Sequence, residues 1–388
     1  MHYLSAPFVF SAHTGFIKNG ILVLHSDGSI ADLLDPSVAT SLPEQTAFYD
    51  GLLCPGFVNA HCHLELSHLR GAIAEHTGFA GFAKELIPKR GTFTPEQIHE
   101  AARLACEELY ANGVSAVGDI ANTADSFSAK EQSPLHIHTF IELLALNPAL
   151  SEKVMSNGNQ LLAQCPQPAS LTPHAPYSVS EELLRAIAEA DEVAPFSIHN
   201  QESKAENEFF ETGAGRVNEL FEFLGIDISW YKAPGVNAIR RTLPHLLSKR
   251  PLILVHNTFT SAEDLAWAES LHTNLHWCFC PNANLYIENS LPDFMQFYKA
   301  GVRCCIGTDS LASNHQLSVL SELKVIAQQA PEIPVSELLT WATSNGSAAL
   351  RFNEAGSFEK GKKPGVILLS GVDASAGISQ ATTVKRLY

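Results

Sequence analysis

The chain is short of positive charge and of long hydrophobic runs. It has 25 Lys and Arg residues against 41 Asp and Glu residues, so its formal net charge at pH 7 is −16. Nucleic-acid phosphates need basic patches, so this balance argues against nucleic acid, and also against anionic membranes, as binding partners. No apolar run is long enough to span a bilayer. These shortages leave a small molecule as the expected ligand.

Signals for export and for dinucleotide binding are also missing. Residues 1–7 lack a basic region followed by a hydrophobic segment, so we expect no signal peptide and a cytoplasmic location. No Gly-x-Gly-x-x-Gly follows a predicted strand. The eight cysteines lie mostly in apolar, strand-like runs, which indicates reduced thiols rather than a disulfide framework.

Charged residues are only 17% of the chain and hydrophobic residues are 45%, which predicts a compact fold with many buried strands. The two ends of the chain differ in pattern from its middle. Residues 1–54 and 356–388 consist of short strand-like runs separated by turn formers such as Lys18-Asn19-Gly20. We therefore predict that the two ends pair as one small β-rich domain.

Residues 55–355 alternate between strand and helix patterns. Thr94-Pro95-Glu96-Gln97 predicts a capping box that starts a helix, and Gly113 ends it. After a first strand that ends at His61, further strands are predicted near 114–119, 136–142, 169–173, 194–199, 251–256, 274–279 and 302–307. About eight βα units favour an α/β fold of the (β/α)8 TIM barrel type, with an open doubly wound sheet as the alternative.

Ionisable side chains follow four of these strands at their carboxyl ends. They are His61 and His63, His199 with Glu202 close behind it, His256, and Asp309. Each one alone is more often a cap or a satisfied loop residue. Their concentration at the edge where barrel enzymes place their active sites predicts a metal site.

Other pairs of potential ligands do not fit this pattern. His136 and His138 begin their strand, so they would lie at the opposite, structural edge. Cys278-Phe279-Cys280 has no second cysteine pair at a suitable spacing, and Cys304-Cys305 is interpreted as core packing.

Several motifs together resemble one family. They are 55–64 (PGFVNAHCHL), 174–178 (HAPYS), 199–202 (HNQE), 256–258 (HNT), 280–285 (CPNANL) and 307–314 (GTDSLASN). In this order they are similar to the amidohydrolase superfamily, in its aminohydrolase branch of cytosine, guanine and adenosine-type deaminases and triazine hydrolases. The resemblance covers nearly the whole chain. It implies a (β/α)8 barrel and a small β-sandwich built from both termini.

The resemblance also implies roles for the clustered residues. Glu202 would move protons, His256 would contact the hydrolytic water, and the metal ligands would be His61, His63, His199 and Asp309, the last also counted as catalytic. Three imidazoles and a carboxylate suit one divalent ion, Zn²⁺ first, with Fe²⁺ or Mn²⁺ as alternatives. Two-metal relatives carry a lysine on the fourth strand, whereas residues 169–174 contain none.

Substrate contacts are predicted with open alternatives. His174 would touch the substrate as in relatives with the His-x-Pro-Tyr pattern, or would act as a capping histidine. Glu65 and Arg70, on the loop after the first strand, and Glu142, at the end of the third, would reach the substrate or remain ordinary polar residues. Phe259 stands where many relatives have a second histidine, which we expect to change the pocket rather than the metal. Residues 203–246 would cover the pocket or form an oligomer surface.

The predicted function is deamination of an aminated nitrogen heterocycle, a purine or an adenosine-like nucleoside, through a metal-bound hydroxide with release of ammonia. Hydrolysis of another C–N or C–Cl bond, in a triazine, ring amide or formimino substrate, is the alternative within enzymes. A non-catalytic barrel scaffold is the alternative outside them. A homodimer is common among such relatives, although nothing in the sequence fixes it.

Overall fold

Strands near the two chain ends pair with one another in the computed structural model, which describes residues 1–39, 41–43, 45–372 and 377–388. The described strands are β1 (His2–Ser5), β2 (Phe8–Ser11), β3 (Gly15–Lys18), β4 (Ile21–Leu24), β5 (Ile30–Leu34), β6 (Ala47–Phe48), β7 (Leu52–Pro55), β8 (Phe57–Cys62), β9 (Val114–Ala121), β10 (His136–Leu143), β11 (Ala169–Pro173), β12 (Phe196–Asn200), β13 (Leu252–His256), β14 (Leu275–Phe279), β15 (Cys304–Ile306), β16 (Val366–Ser370) and β17 (Thr383–Arg386). One mixed sheet has the order β5-β4-β1-β6 and another has the order β17-β16-β7-β2-β3. The second sheet connects β2 and β3, near the start of the chain, to β16 and β17, near its end, through β7.

The middle of the chain forms two four-stranded parallel sheets. Their orders are β11-β10-β9-β8 and β12-β13-β14-β15. Backbone bonds link them at both edges, because His199 N donates to His174 O at 2.9 Å and Asp309 N donates to His61 O at 3.1 Å. All eight predicted strands occur near their predicted bounds, so the predicted α/β class is confirmed.

Helices separate the parallel strands. They are α1 (Gly78–Arg90), α2 (Pro95–Ala111), α3 (Phe127–Glu131), α4 (Ser151–Leu162), α5 (Glu181–Glu189), α6 (Lys204–Thr212), α7 (Arg216–Phe223), α8 (Ala238–Thr242), α9 (Ala262–Leu271), α10 (Pro281–Glu288), α11 (Phe294–Ala300), α12 (Val319–Gln329), α13 (Val335–Thr340) and α14 (Gly346–Leu350). The predicted capping box at Thr94 is confirmed, since Gln97 N donates to Thr94 Oγ1 and Thr94 N donates to Gln97 Oε1. In the described ranges, no helix combines the length and the hydropathy needed to cross a membrane.

The core lies on both faces of the parallel strands. On β13, Leu252 and Leu254 belong to the large cluster that includes helix residues, whereas Ile253 and Val255 belong to a smaller inner cluster. This alternation follows from the two-residue period of a strand. All eight cysteines are free and seven are buried, with Cys278, Cys280 and Cys305 in the inner cluster, and Cys304 and Cys305 lie in the core as predicted.

Candidate active site

A cavity of about 440 Å³ opens at the carboxyl ends of the parallel strands. Its polar residues include His63, His174, His199, His256, Glu142, Glu202 and Asp309. Most of the remaining wall is apolar, with Leu66, Phe79, Phe82, Leu86, Leu220 and Phe221 among its residues. A largely apolar cavity of this size with a few convergent polar groups is typical of a small-molecule site.

Three imidazoles and one carboxylate converge at one side of this cavity. The Nε2 atom of His63 lies 3.1 Å from Nε2 of His61 and 3.3 Å from Nε2 of His199. The Oδ1 atom of Asp309 lies 3.4 Å from His61 Nε2 and 3.3 Å from His63 Nε2. His61, His199 and Asp309, joined by His256, also form a group whose potential ligand atoms all lie within 4.8 Å of one another.

The protonation states of this cluster suit a cation. Burial lowers the pKa of His61 to about 3 and also lowers the pKa values of His63 and His199, so these imidazoles are neutral at pH 7. Burial opposes ionisation of Asp309, yet the contact with His61 and the neighbouring imidazoles outweigh it and hold the carboxyl pKa well below its usual value. Neutral imidazoles and an ionised carboxylate are the forms that ligate a transition metal ion.

His199 is oriented by the backbone of the neighbouring strand end. Its Nδ1 lies 2.7 Å from the carbonyl oxygen of His174. A carbonyl only accepts, so Nδ1 carries the hydrogen and Nε2 keeps a lone pair directed at the cluster. Metal-ligating histidines are commonly held in this way through their second nitrogen. The residues present therefore fit a bound divalent ion.

His256 is oriented in a similar way by an amide side chain. Its Nδ1 lies 2.8 Å from Oδ1 of Asn284, so the hydrogen is on Nδ1 and the Nε2 lone pair is free to act. That Nε2 lies 3.7 Å from Oε1 of Glu202. The imidazole of His256 and the carboxyl group of Glu202, both of which can bind a proton, thus face each other inside the cavity.

Glu202 is a carboxyl group in an environment that disfavours its charge. Its side chain is 12% exposed. Burial raises its pKa to about 8, and the nearby carboxylate of Asp309 acts in the same direction. A carboxyl group that is still protonated near neutral pH can donate a proton to a substrate atom.

The backbone at these strand ends is strained. Four residues other than glycine have positive φ values there: Gln201 (45°), His256 (72°), Asn257 (56°) and Asp309 (56°). The left-handed region costs such residues free energy, and it persists only where the surroundings enforce it. Residues of this kind cluster at functional sites.

Two of the predicted substrate contacts lie in the cavity wall. His174 is anchored by the 2.7 Å contact of its Nδ1 with Ser178 Oγ. Glu142 accepts a hydrogen bond from Asn122 Nδ2 at 2.9 Å, and its other carboxylate oxygen lies 3.6 Å from His199 Nδ1 without a hydrogen-bond partner. Both side chains are therefore available to a ligand in the cavity.

The structure does not bring the other two predicted contacts to the cavity. Arg70 forms an ion pair with Glu108 of α2, and its side chain is 47% exposed. Glu65 is buried and turned into the protein, where it binds Arg90 and backbone amides. Both depart from the prediction because their loop folds back as a 3₁₀ helix, Leu64–Leu69.

The expectation for Phe259 also needs correction. It does not line the cavity; its ring packs under Lys204 Nζ at 5.6 Å. The segment 203–246 does reach the cavity, through Leu220, Phe221, Leu224 and Ile226. This arrangement agrees with the predicted role of the segment as a cover of the pocket, which was one of two alternatives beside an oligomer surface.

Several polar residues of the site were missed from the sequence, among them Arg90, Asn122 and Asn284. Arg90 and Asn122 line the cavity, and Asn284 orients His256. Asn122 follows β9 directly, so the rule that places functional residues after strands could have found it. Asn284 lies within the motif at 280–285, but Arg90 ends a helix and no motif marks it.

Comparison with known proteins identifies the class. The model of the Amidohydrolase family matches residues 52–386. The chain therefore belongs to the amidohydrolase family, and the predicted enzyme class, a hydrolase acting on non-peptide C–N bonds, is confirmed.

Curated relatives are deaminases. The chain is 27% identical to an adenosine deaminase of Helicobacter pylori over 328 residues, covering 81% of this chain and 78% of the relative. It is 25% identical to a 5-methylthioadenosine/S-adenosylhomocysteine deaminase of Halalkalibacterium halodurans over 386 residues, covering 92% of this chain and 82% of the relative.

Solved structures share the fold. Helicobacter pylori aminofutalosine deaminase in complex with methylthio-coformycin has a TM-score of 0.83 at 23% identity, with both chains fully covered. An adenosine deaminase from Xanthomonas campestris with bound zinc has a TM-score of 0.72 at 21% identity, covering 95% of this chain and 84% of that one. The chain therefore has the TIM-barrel-type fold of its family.

Proposed function

We propose that this enzyme removes the amino group of an adenosine-like nucleoside by hydrolysis and releases ammonia. The observation that carries the proposal is the convergence of His61, His63, His199 and Asp309 beside the facing pair of Glu202 and His256, all at one end of a single cavity. The names of the curated relatives, which include adenosine, 5-methylthioadenosine and 5'-deoxyadenosine deaminases, support this substrate class.

The converging side chains would hold one divalent metal ion, Zn²⁺ first and Fe²⁺ or Mn²⁺ as alternatives. When bound, such an ion lowers the pKa of a water molecule from about 15.7 towards about 7, which supplies hydroxide at neutral pH. A single ion is proposed because β11, where two-metal relatives carry a lysine, has the sequence Ala-Ser-Leu-Thr-Pro.

Glu202 would move the protons, and His256 would contact the hydrolytic water. Addition of water to the carbon that bears the amino group creates a tetrahedral centre, and the amino group can leave only after it gains a proton. Glu202, protonated near neutral pH, would give a proton to the substrate and recover one from the attacking water. His256, with its hydrogen held at Nδ1 by Asn284, would accept a hydrogen bond from that water at Nε2.

The cavity wall supports a nucleoside whose 5′ group is apolar. His174 and Glu142 offer polar contacts near the cluster, and they stay predicted substrate contacts. Farther along the wall, α1 and the segment 220–226 supply Phe79, Leu86, Ile87, Phe221, Leu224 and Ile226. Such a surface favours an uncharged substituent, because burying an unpaired charge there is costly.

We infer that the two parallel sheets close into one (β/α)8 barrel over residues 55–355, supported by the backbone bonds that link their edges. Residues 1–54 and 356–388 would form a small β-sandwich domain, supported by the pairing of β7 with β16. A cytoplasmic location agrees with eight free cysteines.

Ammonia release by the zinc-loaded enzyme tests the proposal. Adenosine, 5-methylthioadenosine, 5′-deoxyadenosine, guanine, cytosine and atrazine form the panel, and Glu202→Gln serves as the blank. Release from the nucleosides, absent in the blank, is the expected result. Ammonia release from cytosine or guanine alone, chloride release from atrazine, or silence across the panel would overturn the proposed substrate class.

A further inference from the structure

Two buried carboxylates tie the loop after β8 to the loop after β9, each from the opposite side. Asp119, on β9, accepts a hydrogen bond at 2.7 Å from the backbone N–H of Leu64. Glu65, on the other loop, accepts hydrogen bonds at 3.0 Å from the backbone N–H groups of both Asn122 and Thr123. Each carboxylate thus accepts hydrogen bonds from the backbone of the other segment. We call Asp119 and Glu65, with these backbone partners, the carboxylate clamp.

Each carboxylate of the clamp has its own counter-charge. Asp119 pairs with Lys130, and both side chains are fully buried. Lys130 also donates to Thr139 Oγ1 at 3.1 Å, so the ammonium group is held from a second side. Glu65 pairs with Arg90 at 2.5 Å, and the Arg90 side chain is 28% exposed where it borders the cavity.

Such pairs are poor candidates for a purely stabilising role. Removing two charges from water costs about as much as their attraction returns, so apolar residues of similar size often stabilise a fold at least as well. What the clamp offers instead is a fixed position for the backbone amides that it binds. Leu64 directly follows His63, and Asn122 donates to Glu142 of the cavity wall.

We propose that the carboxylate clamp positions two parts of the active site through separate halves. The Asp119 half fixes the backbone beside His63 and so sets metal affinity. The Glu65 half fixes Asn122 and Arg90 and so sets the shape of the substrate wall. Neither carboxylate lines the cavity, so both are positioning residues. The inference rests on the proposed function for the identity of the site.

The first experiment separates the hydrogen bond from the charges. Asp119→Asn with Lys130→Met removes both charges and keeps an oxygen that can accept from Leu64 N–H. Asp119→Leu with Lys130→Met removes the charges and the acceptor together. Competition of each purified enzyme with a chromophoric chelator gives its zinc dissociation constant, and circular dichroism with thermal unfolding verifies that each variant is folded.

We expect zinc affinity within threefold of the wild type for the first double variant and about a 10–100-fold loss for the second, the usual effect of removing a group that orients a metal ligand. Equal zinc affinity in the two folded double variants would overturn the Asp119 half. If the Leu-containing variant does not fold, Asp119→Ala with Lys130→Met, which also lacks the acceptor, decides: cobalt-substituted enzyme with an unchanged visible spectrum and with zinc affinity lowered less than threefold would contradict a role in placing His63.

The second experiment addresses Glu65. Glu65→Met removes the acceptor for Asn122 and Thr123 but leaves the Asp119 half intact. We expect KM for 5-methylthioadenosine to rise about tenfold with kcat changed far less and zinc affinity unchanged. A loss of zinc equal to that of the Asp119→Leu double variant would overturn the division into halves, and an unchanged KM would overturn the Glu65 half.

Failure of the clamp is distinguishable from failure of the proposed function. If the wild type binds no zinc, or binds zinc and deaminates none of the nucleosides, the proposed function is wrong. If the wild type binds zinc but deaminates none of the nucleosides, the zinc affinities of the Asp119 variants still test the Asp119 half. The clamp alone is wrong when the wild type is active and the variants match it.

Discussion

Nε2 of His256 lies 3.7 Å from Oε1 of Glu202, with the His256 ring held from behind by Asn284. This relationship places the imidazole lone pair and the protonated carboxyl group on the same side of the cavity. A hydrogen-bond acceptor and a proton donor are the two groups that deamination needs besides a metal ion.

Replacing Glu202 by Gln should retain zinc and lower kcat by about 10²–10⁴-fold, the usual contribution of a general acid–base group. The amide has nearly the same shape but cannot transfer the proton. Zinc content by atomic emission and ammonia release under single-turnover conditions measure the two properties. Near-normal turnover by the folded variant would remove Glu202 from the proton path.

Replacing His61 by Ala should reduce bound metal and activity together. His61 is fully buried and belongs to the converging cluster, so the variant leaves the cluster with one ligand fewer. His136→Ala is the matched control, because His136 belongs to the other His-x-His pair and is exposed at the start of β10. Full zinc occupancy in the His61 variant would contradict the ligand assignment.

Replacing Asn284 by Leu should lower kcat about 10–100-fold while zinc content stays constant, as found for groups that orient a catalytic or ligating imidazole. The change removes the acceptor that keeps the hydrogen on Nδ1 of His256. Asn282→Ala, on the same helix, is the control, since the Asn282 amide donates to Ser321 instead. Steady-state kinetics for both variants tests the expectation, and equal effects would show that the helix rather than the imidazole is affected.

Replacing Leu224 by Asp should raise KM for 5-methylthioadenosine about tenfold, which corresponds to about 1.4 kcal/mol of binding free energy. Leu224 lines the cavity and is 37% exposed, so the new charge can be solvated without unfolding the chain. Leu247→Asp is the control, because Leu247 is 48% exposed and lies outside the cavity lining. A substrate wall at this position is excluded if both variants keep the wild-type KM.

Acidification should destabilise the protein through His138. Burial lowers the pKa of His138 to about 3, below the value of about 6.5 expected for the unfolded chain. The unfolded state therefore binds the proton first, so the contribution of His138 to stability is complete above pH 6.5 and is lost as the pH falls from there towards 3. One proton makes the free energy of unfolding fall by about 1.4 kcal/mol per pH unit in that window.

Urea denaturation of the wild type and of His138→Gln between pH 6 and pH 4 measures how much His138 contributes to the pH dependence of the free energy of unfolding. The variant keeps a donor for Ser170, which lies 2.8 Å from His138 Nε2, but cannot be protonated. We expect its stability to fall less steeply with decreasing pH than that of the wild type. His136→Gln, exposed on the same strand, should keep the wild-type slope; parallel slopes for all three proteins would rule out His138.

Strand ends were the most predictable part of this molecule. Apolar runs bounded by Gly and Pro located the parallel strands, and the rule that barrel sites lie after strands selected His61, His199 and Asp309 before any geometry was known. These inferences succeed because strand period and strand direction are local properties of the sequence.

Residues that depend on loop paths were not predictable. Arg70 and Glu65 lie on the expected loop, but a 3₁₀ turn directs one to the surface and the other into the interior. Arg90 reaches the cavity only because α1 ends beside it. Contacts of this kind depend on the packing of distant segments, which residue spacing does not encode.

The positive φ values at Gln201, His256, Asn257 and Asp309 have a consequence for how the molecule opens. Local unfolding releases backbone strain. The free-energy cost of opening is therefore lowered at the carboxyl ends of β12 and β13 and at the turn after β15. Local unfolding begins in the segments whose free energy of opening is lowest. Amide hydrogens at this rim should therefore exchange with solvent sooner after chelation of the metal, whereas those between β7 and β16 stay protected. We therefore expect the rim that holds the candidate site to open before the paired strands β7 and β16.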